Sequence, residues 1–251
     1  MQGFPCVFQY PFARLEAEGF PLKGHWHEEF FHNDNPITIE LGCGKGEYTV
    51  GLAKRFPQRN FIGIDIKGAR IFTGAKEVVE SELPNAAFLR TDIELIHRFF
   101  ELGEVAEIWI TFPDPQMKKT RKRLTSTRFL QLYRQIASPD AIVNLKTDSP
   151  FLYEYTRRLT ALNKLNVLAD TADLYGDNNN LPEYLTGIRT FYEQQWLARG
   201  KFIRYHAFSL GAQNLEEPEI EDLERDDYRS FPRGIARAGE EAIRNASEKL
   251  S

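Results

Sequence analysis

The chain has 251 residues, 42% hydrophobic and 13% aromatic, with a formal net charge of −4 at pH 7. That is enough apolar material for one large domain with appendages, and no window approaches the roughly eighteen consecutive apolar residues of a membrane span. Two distant cysteines, Cys6 and Cys43, argue against a disulfide framework, and the start MQGFPCVFQYPF lacks the features of a secretory signal, so a cytoplasmic protein is expected.

Residues 1–35 read as an aromatic, proline-rich arm that ends in a polar lead-in, HWHEEFFHND (25–34). The spacing of His25, His27 and His32 matches no zinc pattern, and no metal is expected. PITIEL (36–41) is a short apolar strand, and GCGKGEYTVGLAKRF turns on glycines before continuing as an amphipathic helix. NFIGIDI (60–66) is a second strand, followed by helical spacing over 68–82. AAFLRTD (86–92) is a third strand, followed by the helical IELIHRFFE. EIWITF (107–112) is a fourth strand, and the polar TSTR (125–128) leads into a helix, RFLQLYRQIA. AIVNLKTD (141–148) is a fifth strand, and SPFLYEYTRRLTALN (149–163) is a helix with Ser-Pro at its start. A sixth strand falls in KLNVLADTADLY and a seventh in KFIRYHAFSL (201–210). The main domain is thus 36–210, and 211–251 is a charged appendage ending in a helical pattern, ARAGEEAIRNASEKLS.

Strands alternating with helices predict an α/β fold: an open parallel sheet with helices on both faces. Such sheets bind ligands beyond the carboxyl ends of their strands. Gly42, Asp65, Asp92, Asp114 and Asp148 all lie at or just past a strand end. A single acid there is often a helix cap. Five strand ends presenting glycine or acid to one edge point to a site.

Charge is unevenly distributed. Residues 216–227, EEPEIEDLERDD, hold eight acids and one arginine. Residues 115–139 hold no acid and seven bases: Lys118, Lys119, Arg121, Lys122, Arg123, Arg128 and Arg134. A basic run is usually a solvated helix face, but so long an acid-free stretch in an acidic chain points to an anionic partner.

The glycine loop discriminates between cofactors. A dinucleotide fingerprint needs a small residue where Glu47 stands. Here the loop is Gly42-Cys43-Gly44-Lys45-Gly46, with Glu40 two residues before it. Those acids would repel a pyrophosphate and suit a cofactor bearing a sulfonium and an ammonium. Asp65, twenty-one residues after Gly44, is placed to accept from ribose hydroxyls, and Asp92 to reach an adenine amino group. The combination resembles a class I S-adenosylmethionine-dependent methyltransferase, whose fold is a Rossmann-like seven-stranded sheet. A nicotinamide enzyme is disfavoured by the glycine spacing.

In TFPDPQMKK (111–119), Pro113 and Pro115 stiffen a turn that carries Asp114 at the end of the fourth strand, before the basic stretch. With ITIELGCGKGEYTVGLAKRFPQRNFIGIDI, TFPDPQMKKTRKRL, LKTDSPFLYEY and RTFYEQQW in order, residues 26–208 resemble the tRNA (guanine-N7-)-methyltransferases. The resemblance implies methyl transfer from S-adenosylmethionine to guanine N7 at position 46, in the tRNA variable loop. It implies that Glu40, Gly42, Gly44, Gly46, Asp65, Asp92 and Asp114 form the cofactor pocket, with Asp114 as the active-site acid. It also implies that Lys118, Asp148 and Thr190–Glu193 (Thr190, Phe191, Tyr192, Glu193) meet the substrate nucleotide. Gln116 stands where the family usually has a tryptophan, so a base-stacking ring would come from Phe112, Tyr192 or Trp196. Rival readings are a methyltransferase of this fold with another substrate and a non-catalytic RNA-binding protein.

Overall fold

The computed structural model describes residues 3–176 and 181–226. Among them eight strands form one sheet: β1 (Val7–Gln9), β2 (Ile37–Leu41), β3 (Asn60–Asp65), β4 (Ala86–Arg90), β5 (Val105–Thr111), β6 (Ala137–Thr147), β7 (Val167–Thr171) and β8 (Arg204–Ser209). Their order is β1-β4-β3-β2-β5-β6-β8-β7. The helices are α1 (Phe12–Glu18), α2 (Glu47–Arg55), α3 (Gly68–Glu80), α4 (Thr127–Tyr133), α5 (Pro150–Leu162), α6 (Tyr184–Gly187) and α7 (Phe191–Ala198).

The seven expected strands all form, and an eighth joins them. Val7–Gln9 of the N-terminal arm pairs in parallel with β4 at the sheet edge. The sheet is also not wholly parallel, because β8 runs antiparallel to both β6 and β7. The helix expected over 128–137 stops at Tyr133, and β6 begins at Ala137, four residues before the expected start. IELIHRFFE forms a 3-10 turn, Ile93–Arg98. The helical pattern at 236–251 lies outside the described residues.

Alternation along the strands sorts the core into two layers. On β4, Ala87 and Leu89 face one layer while Ala86 and Phe88 face the other. β2 is buried at every position, as a central strand covered on both faces must be. The lead-in at 25–34 is less polar than its composition. Trp26 and Phe31 are buried in a π-helical turn, and the Trp26 indole donates to the Phe99 carbonyl (3.0 Å).

The acidic segment docks rather than projecting. Glu217 accepts from the Thr127 backbone N–H at the start of α4 (2.9 Å) and from the Tyr155 hydroxyl. Asp222 pairs with Arg158 (2.6 Å), and Asp226 accepts from the Phe151 N–H at the start of α5 (2.8 Å). Leu215, Ile220 and Leu223 pack beneath it.

Sheet order reverses between β2 and β5, where the chain leaves in opposite directions. The glycine loop follows β2 and the FPDP turn follows β5, so both stand at this switch point.

Candidate active site

A cleft of about 330 Å³ opens there, a size ordinary for small-molecule sites. Leu41, Gly42, Asp65, Lys67 and Arg70 line one wall, and Thr111 to Asp114, Gln116, Lys122 and Leu124 line the other.

The glycine loop is held from within. Gly42 and Cys43 both donate to the Ile64 carbonyl (2.8 and 3.0 Å), Gly44 donates to Asp65 Oδ2 (3.0 Å), and Gly46 donates to Cys43 (2.8 Å). A pyrophosphate cradle needs free N–H groups, and these four are taken. Gly42 and Gly44 have φ of +75° and +57°, and a Cβ on either would meet nothing within 4 Å, so open space lies above them. Gly46 differs: a Cβ there would come within 2.5 Å of the Phe88 ring. Its role is close packing of α2 on the sheet.

Asp65 accepts from Gly44 N–H on one oxygen and from Lys67 N–H on the other (2.7 Å), which fixes the carboxylate at the cleft wall. Glu40 lies one layer deeper. It is buried and accepts from the Thr49 N–H (2.9 Å), the Thr49 hydroxyl and the Thr111 hydroxyl (2.6 Å). Burial pushes its carboxyl up to about 7 against the pull of those bonds. Asp92 is exposed, caps the 3-10 turn by accepting from Glu94 N–H (3.0 Å), and is not part of the cleft lining.

Asp114 is exposed on the opposite wall, one oxygen accepting from Gln116 N–H (3.0 Å). Phe112 and Gln116, at φ +48° each, bracket the turn. Left-handed backbone in residues other than glycine costs about 1–3 kcal/mol and clusters at functional sites. Phe112 N–H donates to the Lys146 carbonyl (2.8 Å), which ties this turn to the end of β6. Two residues beyond Lys146, Asp148 is buried, and its Oδ2 has no hydrogen-bond partner among the described residues. Burial raises its carboxyl to about 6.

Thr190 caps α7 by accepting from Glu193 N–H (3.2 Å). Phe191 donates its N–H to Glu47 at the start of α2 (3.0 Å), and its ring lies under the Lys45 ammonium (4.8 Å). Tyr192 is exposed and its hydroxyl accepts from Arg70 (3.3 Å). Glu193 is wholly buried against Lys146 (2.7 Å). Of the three rings considered for stacking, Trp196 is buried, whereas Phe112 lines the cleft and Tyr192 faces solvent.

The basic stretch divides in two. Lys118, Lys119 and Arg121 are exposed and form no ion pair among the described residues. The others are engaged. Lys122 and Arg128 share Glu94, whose carboxyl their hydrogen bonds draw down to about 2. Arg123 is buried over the rings of Phe151 and Tyr155, and Arg134 donates to the carbonyls of Leu210 and Gln213. The expectation that all seven bases face an anion is therefore corrected to three free cations with Lys122 at the cleft.

Sequence reasoning missed Thr49, Thr111, Lys67, Arg70 and Lys146. The one available signal was Lys146 itself, a charge inside the apolar strand AIVNLKTD.

The arrangement is a ligand-sized cleft at the switch point of an α/β sheet. A family model described as "Putative methyltransferase" matches residues 34–205. Among solved structures, a 16S rRNA (adenine(1408)-N(1))-methyltransferase from Catenulisporales acidiphilia superposes with TM-score 0.57 at 15% identity, covering 75% of this chain and 91% of that one. The 16S rRNA methyltransferase KamB gives 0.56 at 15%, covering 82% and 96%. The fold is thus that of class I methyltransferases, which bind S-adenosylmethionine.

A tRNA (guanine-N(7)-)-methyltransferase of Porphyromonas gingivalis is 62% identical, covering 93% of this chain and 96% of that protein. The namesake in Bacteroides thetaiotaomicron is 52% identical over 93% and 92%, and that of Listeria monocytogenes 36% over 76% and 91%. The chain belongs to the tRNA (guanine-N(7)-)-methyltransferase family.

Proposed function

We propose that the chain methylates N7 of the variable-loop guanine, position 46, of tRNA in the cytoplasm, using S-adenosylmethionine. The observation that carries this reading is the position of Asp114. It stands across one cleft from the glycine loop and Asp65, at the head of the acid-free basic stretch.

The cleft suits the donor. Open space above Gly42 and Gly44 admits a ligand close to the backbone, and Asp65 presents a fixed acceptor pair for a ribose diol. The saturated loop N–H groups disfavour a phosphate. Glu40 acts from beneath, holding Thr49 of α2 to Thr111 of β5 and so fixing the gap between the two walls. When bound, S-adenosylmethionine supplies an electrophilic methyl group on a cationic sulfur.

Guanine N7 has a free lone pair and no proton, so no general base is required. The protein aligns the nucleophile and stabilises the positive charge that develops on the five-membered ring. Asp114, on a turn stiffened by two prolines, places a carboxylate where that charge forms. Asp148, buried with one oxygen unpartnered, accepts from the guanine N1–H and amino group. Phe112, which lines the cleft, offers a face for the base. Lys118, Lys119 and Arg121 grip phosphates, which makes tRNA affinity steeply salt-dependent.

The test is transfer of labelled methyl to an unmodified tRNA transcript, mapped by strand cleavage specific to N7-methylguanine. Cleavage at the variable-loop guanine, lost when that base is changed to adenine, is expected. Incorporation elsewhere, or none with donor binding intact, would refute the assignment.

A further inference from the structure

The most costly feature outside the cleft is a buried ion pair. Lys146 and Glu193 are both 0% exposed, with Nζ and Oε1 2.7 Å apart. Such a pair gives little net stability, because desolvation of two charges offsets their attraction. Its geometry shows what it does instead. The Lys146 ammonium spends its other donors on the carbonyls of Leu185 (2.6 Å) and Ile188 (3.4 Å), at the end of α6. All three of its protons therefore go to one stretch of chain, 185–193, which leads into α7.

That stretch is what meets the glycine loop. Ile188 packs so closely on α2 that a Cβ on Gly51 would approach it to 2.6 Å. Phe191 N–H is held by Glu47, the first residue of α2, and the Tyr192 hydroxyl by Arg70 of the cleft wall. Lys146 stands on β6, a rigid central strand, and reaches through the layer to hold this cover in place.

We propose that Lys146 is a positioning residue for the methyl-donor site: it fixes the Thr190–Glu193 turn against the glycine loop, and Glu193 acts through Lys146 rather than on the guanine. The proposal rests on the reading of the cleft as the S-adenosylmethionine site. It assigns the turn to the donor side of the reaction, and it makes the pair a determinant of donor affinity rather than of the methyl-transfer step.

Three variants test it: Lys146→Met, the paired Lys146→Met/Glu193→Gln, and Phe191→Pro. The last removes only the N–H held by Glu47 together with the ring, at a first helical position where proline is well tolerated. Each is measured for unliganded melting temperature, for calorimetric affinity for S-adenosylmethionine, and for kcat at saturating donor and tRNA. Lys146→Met is expected to weaken donor binding about ten-fold or more while kcat stays within about three-fold, the signature of lost ground-state binding. The paired variant, which leaves no uncompensated buried charge, is expected to recover the melting temperature but not the affinity, because no ammonium remains to hold the Leu185 and Ile188 carbonyls.

Phe191→Pro is expected to keep the melting temperature and lose affinity, so the test survives even if Lys146→Met does not fold. Unchanged affinity in Phe191→Pro would overturn the proposal, as would a paired variant that regains wild-type affinity along with stability. Failure of the wild-type protein to methylate guanine N7 would instead sink the activity reading, and leaves the calorimetric comparison intact.

Discussion

The two walls of the cleft are built differently. On the β2–β3 side the loop is largely bonded within the protein: the N–H groups of Gly42, Cys43, Gly44 and Gly46 and both oxygens of Asp65 have partners. On the β5–β6 side groups are left waiting. Asp114 is exposed and Phe112 and Gln116 hold left-handed backbone, while Asp148, buried and outside the cleft lining, has an oxygen without a partner among the described residues. A saturated wall is finished before a ligand arrives and suits a donor that is the same in every turnover. An unsaturated, strained wall is completed by its ligand, which fits an acceptor that must be recognised and then react. The proposed function therefore divides binding and chemistry between the walls, and substitutions on each side can test the division.

The largest expected effect is on the unsaturated wall. Asp114→Ala should lower the rate of methyl transfer by about 10²–10³-fold, the usual cost of removing one preorganised electrostatic group, with donor affinity within about three-fold. Steady-state and single-turnover assays with saturating S-adenosylmethionine check this. A second effect concerns the free cations. Replacing Lys118, Lys119 and Arg121 together by alanine should reduce the slope of log affinity for tRNA against log salt by about one for each phosphate no longer neutralised. Arg134→Ala should leave the slope unchanged, because that guanidinium is committed to backbone carbonyls. Filter binding across a salt series distinguishes the two.

A third effect is a pH limb. Burial raises the Asp148 carboxyl to about 6, so below that value it is protonated and, in the proposed role, could no longer accept two donors from guanine. The rate should therefore fall as pH drops through about 6, and Asp148→Asn, slower throughout, should lack this limb in its pH–rate profile. The smallest effect is on stability. Glu40 is raised to about 7 from an ordinary 4.5 by burial. The folded state binds the proton more tightly than the unfolded chain, so stability declines as pH rises from about 4.5 through 7. Melting temperatures at pH 5 and pH 8 should differ less in Glu40→Gln than in wild type.

Much of the architecture could be read from local pattern. Seven strands and the helices between them follow from apolar runs and caps, as with Ser149 and Pro150 opening α5, where Ser149 accepts from Leu152 N–H. What escaped was set by distant partners. VFQ at 7–9 is too short to read as a strand and becomes one only because β4 offers an edge. The reversed direction of β8 has no local sequence signature. The helix over 128–137 was cut short because β6 starts at Ala137, paired with Val105 across an irregular register.

The site divides the same way. Asp65 and Asp114 were legible because a strand end and a turn are local features. The fate of the seven bases was not, because Glu94, Phe151 and Tyr155 reach them from elsewhere in the chain. Lys146 was visible as a residue but not as a pair, since Glu193 lies forty-seven positions away.

The most direct test of the division of labour is to measure donor affinity and single-turnover rate on the same two variants, Asp65→Ala and Asp114→Ala. Loss of hydrogen bonds from a charged acceptor, worth about 1.5–3 kcal/mol each, predicts that Asp65→Ala weakens S-adenosylmethionine binding by at least ten-fold and keeps the rate at saturating donor. Asp114→Ala should show the converse, intact affinity with a collapsed rate. If both variants lose affinity and rate in the same proportion, the two walls do not divide binding from chemistry, and the account is contradicted.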